Sequence, residues 1–221
     1  MQSNKSFLVW DLPTRLFHWL IVILVFFSWY SVEVMEDLDK HFLSGYCALG
    51  LLLFRLTWGF LGTNYARFKN MLYSPAQILS YASGIFKKES TKFTGHNPLG
   101  SLSVFALLGI MLLQAVSGLF SNDEDWYFGP LSDYVSTKTA DRLTEFHHLN
   151  FNFLLALIVL HILAVFFYLF FKKENLLKPM VTGKKNIDTQ PEDVVVSSKS
   201  GLALLILIVW AAAVFLMVKF A

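Results

Sequence analysis

The chain of 221 residues has a single cysteine, Cys47, and charged side chains make up only 15% of it. One thiol cannot close an intrachain disulfide, and zinc or iron–sulfur centres built from cysteine need more thiolates, so any cofactor must be held by other ligands. The formal net charge of +2 is too small to imply a nucleic-acid partner. Scarce charge beside 55% hydrophobic residues inverts the balance of a soluble domain and argues against both a soluble enzyme and a disordered tail. No internal repeat or low-complexity tract stands out. The excess is apolar bulk: 22 Phe and 6 Trp suit a lipid-facing surface better than one small core buried in water.

A membrane-spanning helix needs about 20 mainly apolar residues. Five runs approach that length, at residues 16–30, 42–60, 99–120, 146–171 and 202–220. The first reaches it if the helix starts near Pro13, where a first-turn proline costs little, and continues toward Val34. Trp10, Asp11 and Pro13 interrupt the N-terminal stretch and no small-residue cleavage site follows, so the first run reads as a retained span. Residues 75–86 carry an apolar stripe at helical spacing before Lys87 and Lys88, which suits a short helix on the membrane surface or packed against the bundle. Residues 182–200 are polar. The expected organisation is an all-α integral membrane protein: a four-helix core over residues 1–185, a polar linker over 186–200, and an extra C-terminal transmembrane helix over 201–221.

Lys and Arg mark the cytoplasmic side of such a protein. Of the 18 in the chain, 13 fall in residues 1–15, 61–98 and 172–200, against three in residues 31–41 and 121–142. The N-terminus is therefore expected in the cytoplasm. The opposite loops collect Glu33, Glu36, Asp37, Asp39, Asp123, Glu124, Asp125, Asp133 and Asp141, a face that would steer a positively charged partner or that merely reflects exclusion of basic residues from exported loops.

Four of the six histidines, His18, His41, His147 and His161, sit in or at the ends of apolar runs. Ionisable residues at membrane depth are costly and usually face a site inside the bundle, although any one of them can instead bond a neighbouring helix. His147 and His161 are fourteen residues apart, which returns to nearly the same helix face about 21 Å further along. His148 would point roughly 100° away from His147 and is set aside as a ligand. By depth, His18 matches His161 near the inner surface and His41 matches His147 near the outer one. Two neutral imidazoles from facing helices, with no thiolate or carboxylate beside them, suit an iron whose other four positions belong to a porphyrin; zinc would want two more ligands. Two b-type haems, one near each surface, follow as the expectation.

Gly45, Ala48, Gly109 and Gly118 could give a flat macrocycle room, as ordinary small-residue packing also explains. Arg55 interrupts the second run fourteen residues after His41, on the same face and about 21 Å lower, where anionic haem propionates would offset its charge. Arg15, three residues before His18, is a second candidate. Both could instead snorkel to phosphates. His96 precedes Asn97 and Pro98 at a plausible helix entry, as part of a capping turn, a polar lid on the inner haem or a quinone pocket.

The stretches VWDLPTRLFHW (residues 9–19), HFLSGY (41–46) with RLTWGF (55–60), GHNPLG (95–100), EFHH (145–148) with LHILAV (160–165), and ENLLKPMVTGKK (174–185) together resemble the bacterial cytochrome b561 family. That group also contains the b-type cytochrome subunit of nickel-iron hydrogenases. The resemblance runs from about residue 8 to residue 185. It implies a four-helix core with two haem b groups in the inner membrane, passing electrons between the quinone pool and a redox partner. By position its haem ligands fall on His18 with His161 and on His41 with His147. The chain departs from the family where relatives often carry an acidic residue after the first ligand of the fourth helix and His148 stands here.

The leading functional expectation is a transmembrane electron-transfer cytochrome that couples quinone or quinol to a partner on the acidic face, such as a c-type cytochrome or a hydrogenase. A second is a self-sufficient oxidoreductase taking a small outer-side reductant such as superoxide, drawn in by Lys40 and Arg142. A third treats the histidines as a proton or metal path and implies a colourless protein.

Overall fold

A computed structural model describes residues 5–86, 93–122, 127–187 and 198–221. Lys87, Lys88, Asp123, Glu124, Asp125 and most of the polar stretch expected as a linker lie outside them. The helices are α1 (Leu12–Glu33), α2 (Leu38–Leu61), α3 (Pro75–Ser83), α4 (Pro98–Gly118), α5 (Thr137–Phe170), α6 (Leu177–Thr182) and α7 (Ser200–Phe220). Strands β1 (Lys5–Leu8) and β2 (Lys184–Ile187) form a small antiparallel sheet. Among the described residues, α1, α2, α4, α5 and α7 are long and apolar enough to cross a membrane.

Local chemistry explains where these helices begin. Asp11, Asp37, Ser74, Asn97 and Ser136 each accept a hydrogen bond from a backbone N–H in the first turn of the helix that follows, which satisfies an otherwise unpaired donor. Pro13, Pro75 and Pro98 occupy first-turn positions, where the missing N–H is harmless. The four spans of the expected core agree with the apolar runs except that α5 starts at Thr137, well before Phe146. At 34 residues it measures about 51 Å, longer than a hydrocarbon layer of about 30 Å.

The hub of the bundle is α2, half of whose span is buried, against 11–17% for the other spans. It packs against α1, α4 and α7, while α4 pairs with α5. Phe17 and Ile21 of α1 meet Leu52, Phe54 and the fully buried Trp58 of α2, with Leu108 of α4 beside them. Large apolar residues on the outer faces, such as Ile23, Phe26, Leu163 and Phe215, are exposed, as lipid contact requires. Because lipid tails are as apolar as leucine, polar contacts fix helix against helix. Asn150 Nδ2 donates to Ile110 O (3.0 Å) and Gln114 Oε1 (2.7 Å) across the α4–α5 seam.

Two features go beyond the sequence expectation. First, α7 is packed along α2: Ala203 and Ile206 are buried in the same core, Val214 meets Leu49 and Leu119, and Trp210 Nε1 donates to Thr57 Oγ1 (2.9 Å). Second, part of the stretch expected as linker is strand β2, with Lys185 opposite Phe7 and Asn186 opposite Ser6. Gly183, at φ 79°, ends α6 in the left-handed conformation that glycine adopts without strain. Its carbonyl accepts from Val9 N (2.8 Å) and Trp10 N (3.1 Å), so the end of the core is tied to the start of α1.

Candidate functional site

Along α5, Ala140, His147, Asn150, Leu154, His161 and Tyr168 recur at spacings of three, four and seven and so share one stripe. Ala140, Asn150, Leu154 and Tyr168 are buried. This stripe presents one histidine toward each end of the bundle. The end holding His41 and His147 carries the acidic loops; the end holding His18 and His161 carries the basic ones.

At the acidic end the rings of His41 and His147 lie 6.1 Å apart, centre to centre, with planes at 82°. Both line a cavity of about 360 Å³ between α1, α2, α4 and α5, together with Trp29, Phe42, Gly45, Ala48 and Tyr127. His41 Nδ1 donates to Ser28 O at 2.9 Å, with Ser28 Oγ at 3.1 Å. His147 Nδ1 donates to Gln114 O at 2.9 Å, with Ser117 Oγ at 3.1 Å. A carbonyl can only accept, so in the neutral ring the proton is on Nδ1 and the lone pair on Nε2. Such a bond to the far nitrogen is what orients an imidazole that ligates a metal. Metal–imidazole bonds are about 2 Å long, so two rings on opposite sides of one ion have centres about 6 Å apart, and the separation of His41 and His147 fits. Gly118 keeps the approach open, since a Cβ there would stand 3.0 Å from His147 Cε1. His148 is exposed at the cavity rim, off the stripe.

At the basic end His18 of α1 and His161 of α5 lie within electrostatic range of each other. Ser103 Oγ is 3.5 Å from His161 Nδ1. Arg55 is buried, its guanidinium carbon 4.9 Å from the centre of the Phe68 ring. Buried Asp11 is the nearby anion acting on Arg55, yet its carboxylate already accepts from Thr14 N (2.7 Å), Trp58 Nε1 (3.1 Å) and Thr63 Oγ1. Arg15 turns toward α6, donating through Nη1 to Val181 O at 2.6 Å. His96 is not the cap of α4: Asn97 Oδ1 accepts from Gly100 N (2.7 Å), while the His96 ring packs 4.6 Å from that of Trp10. Burial first, then the neighbouring Arg55, His161 and Lys185, push the His96 imidazole down to about 3, so it is neutral near pH 7.

Several residues here carry no obvious signal in the sequence. Ser28 and Gln114 act through backbone carbonyls. Asn150, which fixes α5 against α4 three residues from His147, was findable as a polar residue inside an apolar run.

Among the described residues no three or more His, Cys, Asp or Glu side chains gather into a metal-binding cluster. Each centre offers two imidazoles, the donor set that suits haem iron.

Residues 9–183 match the family model described as Prokaryotic cytochrome b561. The chain is 24% identical over 222 aligned positions to a Probable Ni/Fe-hydrogenase B-type cytochrome subunit from Rhizobium leguminosarum bv. viciae, covering 83% of this chain and 90% of that protein. It is 22% identical, with the same coverage, to proteins of that description from Azotobacter chroococcum mcd 1 and Azotobacter vinelandii. No solved structure gives a significant match. The match covers α1 to α6 and with them every histidine pair described above, and the chain belongs to the prokaryotic cytochrome b561 family, the membrane b-type cytochromes of electron transfer.

Proposed function

We propose that this chain is a di-haem cytochrome of the bacterial inner membrane that passes electrons between the quinone pool and a redox protein at its acidic face. His41 and His147 would hold the iron of a haem at that face, and His18 and His161 that of a second haem at the basic, cytoplasmic face. Arg55, with Arg15, would supply positive charge to the propionates of that second haem. The N-terminus is cytoplasmic and the C-terminus, after α7, external.

One observation carries this reading: the His41 and His147 rings lie 6.1 Å apart beside one cavity with both Nδ1 protons held by helix carbonyls, which leaves each Nε2 lone pair available to a metal ion. When bound, haem iron supplies reversible one-electron chemistry, and the protein sets its potential through ligands, burial and nearby charge. The remaining work belongs to the chain: α5 holds the two sites about 21 Å apart along its axis, and largely apolar side chains line the cavity at the acidic end.

The relatives' description as hydrogenase cytochrome subunits supports a protein partner, and Glu33, Glu36, Asp39 and Asp133 supply an acidic landing surface for a basic one. The alternative of a self-sufficient oxidoreductase relied on Lys40 and Arg142 to draw in an anion, and of these the Lys40 ammonium is paired with Asp37 at 2.7 Å. That contact favours docking over anion capture. The test is haem content and spectrum of purified His41→Ala, His147→Ala, His18→Ala and His161→Ala variants. The first two are expected to lack the same haem and the last two the other. A stably folded His41→Ala protein that loses both haems, or neither, overturns the pairing.

A further inference from the structure

We infer that His96 and Ser101 complete, with Arg55, a carboxylate-binding cradle that holds the propionate edge of the basic-end haem and raises its potential. This rests on the two-haem reading above and extends it to residues that neither ligate iron nor carry charge.

The observation is a collection of buried polar atoms without hydrogen-bond partners among the described residues. They are Thr14 Oγ1, Arg15 Nε, His18 Nδ1, Arg55 Nη1, His96 Nδ1 and Ser101 Oγ. All belong to the basic end: the first turns of α1, the last turns of α2, the 93–97 turn and the first turn of α4. The two histidines of the acidic end, by contrast, have every Nδ1 engaged. Unpartnered buried polar atoms are rare because each carries an uncompensated desolvation cost, and six gathered at one end mark a polar ligand.

The donor chemistry says which kind. A guanidinium N–H can only donate, and hydroxyls and a neutral imidazole donate readily, so the set calls for an acceptor. Arg55 also brings a full charge into a buried place. Asp11 offsets it only in part, because both carboxylate oxygens are already engaged by Thr14, Trp58 and Thr63. Lys185, the other cation acting on His96, is itself paired with Glu174 at 2.8 Å. The unmet charge at this end is therefore positive, and a carboxylate answers it better than a neutral carbonyl. Arg15 contributes less, its Nη1 being committed to Val181 O.

His96 has a distinct part. It lies within range of Arg55 and His161 and presents Nδ1 away from solvent, held by a tilted ring contact with Trp10 and by the bond from Tyr73 O–H to its carbonyl (2.9 Å). As an uncharged donor it withdraws negative charge from the carboxylate it binds. Reduction makes the haem more negative, so removing that donor disfavours the reduced form.

The experiment is a potentiometric titration of the full-length purified holoprotein, with the acidic-end haem assigned by its loss in His41→Ala. In His96→Phe, which keeps a ring for Trp10 but no donor, the basic-end haem is expected to shift about tenfold toward the oxidised form at fixed potential, about 59 mV for one electron. His96→Gln, a neutral donor, restores most of it. Ser101→Ala gives about a threefold shift in the same direction, and because it removes one hydroxyl it reports even if His96→Phe fails to fold. The acidic-end haem stays unmoved in all three. Unchanged potentials in His96→Phe and Ser101→Ala overturn the cradle, as does loss of extractable quinone with unchanged haem potentials, which would give the pocket to a quinone head group. Failure of the two-haem reading is separate: it shows as one haem or none per chain in the unmodified protein.

Discussion

The two ends of this bundle offer iron the same pair of imidazoles and otherwise differ in almost everything. At the acidic end, His41 and His147 are each hydrogen-bonded through Nδ1 to a neighbouring carbonyl and line a cavity that includes Trp29, Phe42 and Tyr127. At the basic end, one nitrogen each of buried Arg55 and of His96 and the hydroxyls of Thr14 and Ser101 have no hydrogen-bond partner among the described residues. Identical axial ligands in unlike surroundings give unlike potentials. On the proposed two-haem reading, the acidic end orients its histidines in advance, the basic end supplies positive charge and donors, and the haem beside Arg55 is expected to be the easier of the two to reduce.

That contrast can be broken most forcefully at the ligands. His147→Ala is expected to halve the haem content and remove the same spectral component that His41→Ala removes, measured by haem quantification per chain. Next in size, Arg55→Leu is expected to lower the potential of the basic-end haem by tenfold or more in its oxidised-to-reduced ratio, about 59 mV or beyond, and so narrow the gap between the haems; Arg55→Lys keeps the charge and loses less. Redox titration reads both. At the acidic end, Asn150→Leu removes two bonds across the α4–α5 seam, each worth about 0.6 kcal/mol on average in membranes. It is expected to lower the thermal midpoint by a few degrees and to weaken retention of the acidic-end haem while the other stays.

The smallest expected effect is in acid. Because the folded protein holds His96 at about 3 against an ordinary value of about 6.5, the unfolded chain binds more protons between those values. The contribution of neutral His96 to stability is then complete above about pH 6.5 and declines as pH falls toward 3. Thermal melts are expected to be flat in this respect from pH 7 to 8 and to fall below pH 6, with a shallower fall in His96→Gln. Equal slopes would contradict the burial of His96.

Much of the fold is readable from the chain because the spans announce themselves as apolar runs and the capping residues Asp11, Asn97 and Pro98 mark where two of them begin. The histidine pattern is equally direct, since a spacing of fourteen is a statement about one helix face. Other features leave weaker traces. Residues 137–145 are helical but polar, so the N-terminal extension of α5 lacks an apolar signal. The β1–β2 pairing joins Phe7 to Lys185 across nearly the whole core, and neither strand alternates clearly. An almost uniformly apolar helix such as α7 has no face to reveal that Ala203, Ile206 and Trp210 pack on α2. The acceptors for His41 and His147 are main-chain carbonyls, which every residue possesses, and the contact of the His96 ring with Trp10, far away in the sequence, is visible only in the fold.

The absorption spectrum of the purified full-length protein, with haem b quantified per chain, tests the central claim most directly. Two haems per polypeptide, with a Soret band and reduced α-bands that separate into components lost independently in His41→Ala and His18→Ala, are the expected result. A colourless protein, or one that binds a single haem when fully loaded, would contradict it.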